Sequence, residues 1–507
     1  MKQEKDIKDY RLEPGDMPVE EFRRFGREIV DWIADYLAHP ERFPVLSRVK
    51  PGYLKSALPE SAPKQGEPMG EILADVDRFI LPGVTHWNHP SFFAYFSISG
   101  SGPGILGEML SAAFNVNAML WRTSPAATEL EEVTLDWLRQ MIGLPEGFSG
   151  VIYDTASIST LCAVAAAREA VAGIDVREKG LAYLAGDEKS GSTKVVSAPL
   201  RLRLYANEHA HSSVDKAALT LGLGLESVRK IETDSEFRMD IQALERAIEE
   251  DREQGWVPFC VVATVGTTSV TSVDQVNPIA DICERNGLWL HVDAAYGGSA
   301  AIVPEMRYLM DGCERADSLV MNPHKWLFVP IDLSALYTRR MDVLRRAFSL
   351  IPEYLRTTDS DEVQNFMDYG PQLGRRFRAL KLWFVLRYFG EEGIAARIRY
   401  HLQLAKDFAA WVEQSEDFEL LAPVPLSLVC FRANPSARRT DESGLEQLNA
   451  QLLDEVNREG KVYLSHTKLN GRFALRLAIG NIRTTQDHVK MAWDELNAAL
   501  ARIREVE

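Results

Sequence analysis

The stretch best suited to covalent chemistry is Met321-Asn322-Pro323-His324-Lys325-Trp326. The apolar run Ser318-Leu319-Val320 feeds it, and Leu327-Phe328-Val329-Pro330 follows. A lysine so enclosed loses hydration, which lowers its pKa and favours the neutral amine. A neutral amine is the nucleophile that attacks an aldehyde. His324, beside it, is a natural contact for an anion. Upstream, Trp289-Leu290-His291-Val292-Asp293-Ala294-Ala295-Tyr296-Gly297-Gly298 ends a strand-like run in a carboxylate and continues in small residues. Pyridoxal phosphate (PLP) requires a lysine for its aldehyde and a carboxylate for its ring nitrogen. Small residues after the carboxylate would let backbone lie against a flat ring. Taken alone, Asn-Pro-His-Lys is better read as a surface lysine in a loop between two strands. The carboxylate at Asp293 shifts the reading toward chemistry.

Three more segments could complete such a site. Gly150-Val151-Ile152-Tyr153-Asp154-Thr155-Ala156-Ser157 leads into a helical stretch from Thr160 to Arg168. A phosphate at that helix N-terminus would meet free N–H groups and the positive end of the dipole. The hydroxyls of Thr155 and Ser157 add donors, although a plain N-cap fits the same residues. Asn207-Glu208-His209-Ala210-His211-Ser212-Ser213-Val214-Asp215 places two histidines after an apolar run. Either could be a satisfied loop histidine. Thr264-Val265-Gly266-Thr267-Thr268 ends another run, where loop hydroxyls often cap a helix.

From about Phe22 to about Val489, these separated motifs together resemble the group II PLP-dependent decarboxylases, most closely the aromatic-L-amino-acid decarboxylase family. The resemblance implies an α/β fold of PLP fold type I, like aspartate aminotransferase, and an obligate homodimer. It implies that Lys325 carries PLP, that Asp293 keeps the ring nitrogen protonated, and that His211 stacks on the ring. Thr155, Ala156, Ser157, Asn322 and His324 would hold the phosphate, with Thr268 and Ala295 near the ring; His209 receives no role. Trp87, Phe96, Ile98, Asn117 and Met119 would shape the substrate pocket, the last two from the neighbouring subunit. The implied reaction is decarboxylation of an aromatic L-amino acid to the amine. An acid must then protonate the α-carbon.

In the family a loop tyrosine supplies that proton, shortly before a Leu-Gly-Arg-Arg-Phe-Arg motif, here Leu373 to Arg378. Counting back from the motif puts Phe366 at that position, and phenylalanine cannot donate a proton. Members with phenylalanine there are aromatic acetaldehyde synthases, which use O2 and release aldehyde, ammonia and peroxide. The loop is also somewhat shorter than usual, which admits Tyr369 or Tyr354 as the donor. Ile98, Asn117 and Met119 depart from the usual pocket residues, so a non-aromatic amino acid is a further alternative. A catalytically silent dimeric scaffold is disfavoured by intact Lys325, Asp293 and His211. A transaminase or an acidic substrate is disfavoured by the lack of an arginine motif for a second carboxylate.

The rest of the chain must position these groups. At 507 residues, two or three domains are expected. We assign 1–100 to an N-terminal helical segment that wraps a partner, 101–388 to a large PLP-binding domain and 389–507 to a small α+β domain. A helix is expected from Pro18 through Phe22, Phe25, Ile29, Ile33 and Tyr36, then an extended linker from Pro51 to Pro68 and a second helix from Met69 to Phe79. The aromatic stretch His86 to Phe96 is expected mostly in the core. Phe259 to Thr264, Leu288 to Val292 and Ser318 to Met321 read as strands of a mostly parallel sheet covered by helices. Such a sheet binds its ligands outside the carboxyl ends of its strands. The basic cluster Arg375-Arg376-Phe377-Arg378 with Lys381 reads as a solvated helical face.

Composition narrows the class. Lysine and arginine number 57 against 73 acidic residues, a net charge of −16, which disfavours nucleic acid or an anionic membrane as partner. Cys162, Cys260, Cys283, Cys313 and Cys430 are scattered and form no Cys-x-x-Cys pair, so neither a disulfide framework nor a metal site is expected. No apolar run reaches the ~18 residues of a membrane span. The N-terminus shows no apolar signal run, so a cytoplasmic setting is expected.

Overall fold

The computed structural model describes residues 15–181, 200–350, 363–435 and 441–506. A seven-stranded sheet is built from β1 (Ser149–Tyr153), β2 (Leu202–Asn207), β3 (Val228–Ile231), β4 (Val257–Thr264), β5 (Trp289–Asp293), β6 (Ser318–Met321) and β7 (Ser334–Thr338), in the order β1-β7-β6-β5-β4-β2-β3. β6, β5, β4, β2 and β3 run parallel, and β7 is antiparallel to both its neighbours. The three runs expected as strands are the central β4, β5 and β6. They lack alternation because both faces are covered. Val261, Ala263, Leu290 and Val292 join the core on one face, while Cys260, Val262 and Trp289 join the core on the other.

Register decides where the chemistry falls. Thr264 pairs with Asp293, and Asp293 pairs with Val320. The ends of β4, β5 and β6 therefore lie side by side, and each opens into one of the motifs above. Asp274 ties this edge together. Its carboxylate accepts from Asn207 Nδ2 at 2.8 Å, Met239 N at 2.7 Å and Thr264 N at 2.8 Å, joining the ends of β2 and β4. Burial still pushes its pKa up to about 6.

The opening segment has little core of its own. Helix α1 (Val19–Ala38) buries only Phe25, and Val19 and Phe22 are exposed. The expected linker contains a short helix, α2 (Tyr53–Ala57). Next come α3 (Met69–Asp75), which runs on through a π turn to Ile80, and α4 (Gly102–Phe114). Phe92, Phe93 and Phe96 of the aromatic stretch are buried, and Tyr95 is exposed. α5 (Pro125–Met141) and α6 (Ala156–Glu169) flank β1.

The second sheet comprises β8 (Phe418–Leu420), β9 (Leu428–Ala433), β10 (Ser465–Leu469) and β11 (Arg472–Ala478), all antiparallel, in the order β10-β11-β9-β8. The helices Glu442–Glu459 and Gln486–Val506 share its core. The long helix Ala379–Gln414 links the two sheets and breaks its helical dihedrals at Gly390 (φ 64°). This break lies next to the boundary we place at 388/389. The helix nevertheless packs on the large core through Leu402 and joins the second core from Leu404.

The basic cluster is not a solvated helical face. Arg375 to Arg378 precede the helix, and Arg375 and Lys381 are buried. Arg375 pairs with Glu131 at 2.6 Å and also donates to Ala118 O and Ile152 O. Lys381 pairs with Glu108 at 2.8 Å, and Arg378 with Asp332 at 2.8 Å. Removing one member of a buried pair strands the other charge. We therefore expect Arg375→Ala to cost about 3–5 kcal/mol of unfolding free energy, with part recovered in Arg375→Ala/Glu131→Ala. Chemical denaturation measures both, and a single variant as stable as the wild type would refute the assignment.

Candidate active site

A cavity of about 170 Å³ opens at the carboxyl edge of the large sheet. Phe96, Thr155, Ala156, Ser157, His211, Thr264, Gly266, Thr268, Asp293, Ala295, Tyr296, Asn322, His324 and Lys325 line it. Every residue expected to hold PLP is in this set. A larger surface cleft of about 430 Å³, between Val270, Tyr308 and Pro425, has no lysine or histidine in its lining.

Lys325 sits in the single turn Pro323–Trp326 directly after β6 and is half-buried. Its Nζ lies 5.3 Å from the centre of the Phe96 ring. Burial pushes its pKa below the ordinary lysine value, and the Asp293 carboxylate partly holds it up. Asp293 ends β5 and is buried; Ala295 N–H donates to its Oδ1 at 3.0 Å. Phe96, Tyr296 and Trp326 stack behind the lysine, with ring centres 3.8 and 4.6 Å apart. Trp326 Nε1–H donates to His401 Nδ1 at 3.0 Å, and the Tyr296 hydroxyl meets Ser427 Oγ at 2.5 Å. The reactive side chain thus leans on a wall fastened to the long helix and the second sheet.

Both cavity histidines are held neutral. Leu333 N–H donates to His324 Nδ1 at 2.9 Å, and burial followed by the Lys325 charge brings His324 down to about 3. Ser213 N–H donates to His211 Nδ1 at 3.1 Å, and burial and then Lys325 lower its pKa as well. With Nδ1 accepting, the proton of each ring rests on Nε2. His324 therefore meets an anion as a neutral donor.

α6 begins at Ala156, four residues earlier than the stretch read from sequence, and Thr155 is its N-cap. The Thr155 side chain makes no capping bond to the helix, so a plain N-cap does not explain it. Ile158 N–H bonds Thr155 O at 3.0 Å, and the amides of Ala156 and Ser157 are left without an intrahelical acceptor. Two buried polar atoms of the lining, Asn322 Oδ1 and Thr264 Oγ1, have no hydrogen-bond partner among the described residues. Buried polar atoms call for hydrogen bonds. A polar, anionic, ring-shaped ligand fits this set of donors, the orphaned oxygens and the aromatic wall.

Several expected residues lie elsewhere. Phe366 is buried in the core beside Tyr153 and Val343, and the Arg375 guanidinium covers its ring at 4.7 Å. It does not line the cavity, so the count back from Leu373 lands on a packing residue. Tyr369 is buried next to it, and its carbonyl accepts from the Tyr153 hydroxyl. Tyr354 lies outside the described residues. Of the pocket set, Phe96 lines the cavity, whereas Trp87, Ile98, Asn117 and Met119 do not. Trp87 stacks on Phe92; Met119 packs with Leu120 and Met367. Gly297 and Gly298 do not line the cavity. A Cβ at Gly297 would sit 2.5 Å from Val265 O, so this glycine lets two loops close on each other. Thr264, Gly266 and Tyr296 line the cavity without having been singled out. Their signal was position alone, at or just past a strand end.

The comparisons agree with this geometry. Residues 51–434 match the pyridoxal-dependent decarboxylase conserved domain. The chain belongs to the PLP-dependent decarboxylases. It is 43% identical to Tryptophan decarboxylase TDC2 of Camptotheca acuminata, over 94% of this chain and 93% of the relative. It is 42% identical to Phenylacetaldehyde synthase of Petunia hybrida, again over 94% and 93%. The crystal structure of Oryza sativa TDC with PLP and tryptamine superposes with a TM-score of 0.90 at 37% identity, covering 96% of this chain and 99% of that one. This decarboxylase is therefore an amino-acid carboxy-lyase whose cofactor is PLP.

The electrostatics make a direct prediction. In cofactor-depleted protein, labelling of Lys325 by an amine-reactive reagent, read by peptide mass spectrometry against pH, should rise at a midpoint below the ordinary lysine value. Asp293→Asn removes the charge that favours the ammonium and should move the midpoint lower still. A midpoint that rises in this variant would contradict the assignment.

Proposed function

We propose that this enzyme converts an aromatic L-amino acid to its amine and CO2. The convergence of Lys325, Asp293, His211 and the α6 N-terminus on one cavity carries this reading. Lys325 would hold the aldehyde carbon of PLP, Asp293 its ring nitrogen, His211 its face and Thr268 its 3′-oxygen. Thr155, Ala156, Ser157, Asn322 and His324 would hold its phosphate. Bound there, PLP supplies the electron sink for the bond that releases CO2. His211, with its proton on Nε2, is suited to donate to the substrate carboxylate and orient it. Among the described residues the lining contains no arginine for a second carboxylate, and Phe96 offers a flat apolar face, which favours an aromatic side chain over an acidic one. The substrates named for the relatives point the same way.

The relatives divide between decarboxylases and acetaldehyde synthases at nearly the same identity, so identity does not decide the product. Placement favours the amine. Phe366 is packed in the core of its own chain, which speaks against it as the switch, and Tyr369 is packed beside it. Tyr354 is then the phenol we assign to protonate the substrate carbon that loses CO2. Purified enzyme mixed in air with L-tyrosine, L-dopa, L-tryptophan and L-phenylalanine should yield amine without peroxide. Phe366→Tyr should leave the product unchanged, and Tyr354→Phe should divert turnover to aldehyde, ammonia and peroxide. Aldehyde with stoichiometric peroxide from the wild type would overturn the amine assignment.

The working unit is proposed to be a homodimer. Phe22 and Trp32 of α1, and Leu106, Met109, Leu110 and Phe114 of α4, expose apolar surface that a second copy would cover. Asn117 and Met119 would then serve the partner's pocket. Light scattering should report twice the chain mass, and Leu110→Asp should weaken the association. A cytoplasmic location suits the five cysteines, all free and buried. No helix among the described residues is long and apolar enough to cross a membrane.

A further inference from the structure

Beside the phosphate cup, just outside the cavity lining, stands a carboxylate. Asp154 directly precedes Thr155, the N-cap of α6. Its Oδ1 accepts the Thr155 amide N–H at 2.5 Å and the Thr155 hydroxyl at 3.1 Å. Its Oδ2 accepts from Gln372 Nε2 at 3.2 Å. None of these donors is a cation, and among the described residues Asp154 has no ion-pair partner. Asp154 and Thr155 are both half-buried, where a charge is screened less than at an open surface.

A helix N-terminus attracts anions through its free N–H groups and its dipole. Here the amide and hydroxyl of Thr155, at the very start of that helix, already serve an anion that belongs to the chain. An incoming phosphate must take those donors from Asp154 and then remain near the displaced carboxylate. Like charges in one site raise each other's free energy. We propose that Asp154 sets the affinity of this enzyme for its cofactor, competing with the phosphate of PLP for Thr155 and repelling it, so that the cofactor is held loosely and exchanges. The inference rests on the assignment of Thr155, Ala156 and Ser157 to the phosphate. It concerns the phosphate alone, because Lys325 and Asp293 hold the other end of the cofactor.

That restriction supplies the test. The full-length enzyme is stripped of cofactor and titrated by absorbance with PLP and with pyridoxal, which lacks the phosphate. Asp154→Asn keeps an acceptor oxygen and removes the charge. It should tighten PLP on the order of tenfold and leave pyridoxal unchanged, with the gain shrinking as salt is raised. Asp154→Ser should act in the same direction. The pyridoxal titration reports whether each variant is folded around its lysine. Unchanged or weaker PLP binding in both variants, or equal tightening for both ligands, overturns the proposal. Ser157→Ala tests the cup separately: loss of PLP affinity with pyridoxal unaffected supports the phosphate assignment, and equal loss of both overturns the cup and the proposal with it.

Discussion

The site depends on one lysine that is kept short of water yet within the field of a single carboxylate. Burial favours the neutral amine of Lys325, and Asp293 pulls the other way. That balance needs fixed distances, and the sheet supplies them. β5 and β6 are adjacent and parallel, with Asp293 in register with Val320, so the two functional groups leave the same edge. Parallel strands of this kind must be buried on both faces. The large core is thus a condition for the chemistry as well as for stability.

The same demand reaches the second sheet. The wall behind Lys325 is a column of Phe96, Tyr296 and Trp326, and its fastenings are His401 on the long helix and Ser427 next to β9. His401 is buried and neutral, pushed down to about 4, so it accepts the indole proton without bringing a charge near the lysine. A cation at His401 would lose that acceptor and oppose the ammonium from behind. Both sheets are needed to keep the surroundings of one side chain apolar.

Much of this was legible in the sequence, for a physical reason. Parallel strands buried on both faces read as unbroken apolar runs, and ligands gather past their carboxyl ends. Asp293, Thr268, His211 and Lys325 each follow such a run, so their convergence could be read without coordinates. What was not legible depends on direction or on distant partners. Counting along a loop gives a position but not an orientation, which is how Phe366 came to be expected in the cavity when it lies under Arg375. Arg375 resembles a solvated charge in sequence because its partner, Glu131, is 244 residues away. The role of Gly297 was also hidden, since nothing in a run of small residues says whether backbone or ring will approach it.

The charges in the cavity lining show how the site selects its ligands. Among the described residues of the lining, Lys325 is the only cation and Asp293 the only carboxylate, because both histidines are held neutral. Anions must therefore be bound by oriented N–H groups and the α6 dipole. A second cation would have bound phosphate more strongly, but it would also have lowered the lysine pKa further and competed for Asp293. Dipoles bind an anion without adding a net charge to the site. Binding the phosphate through the first turn of α6 leaves Asp293 free to serve the ring nitrogen. Phosphate affinity is then adjusted by neighbours of that turn, where one carboxylate weakens binding without disturbing the lysine.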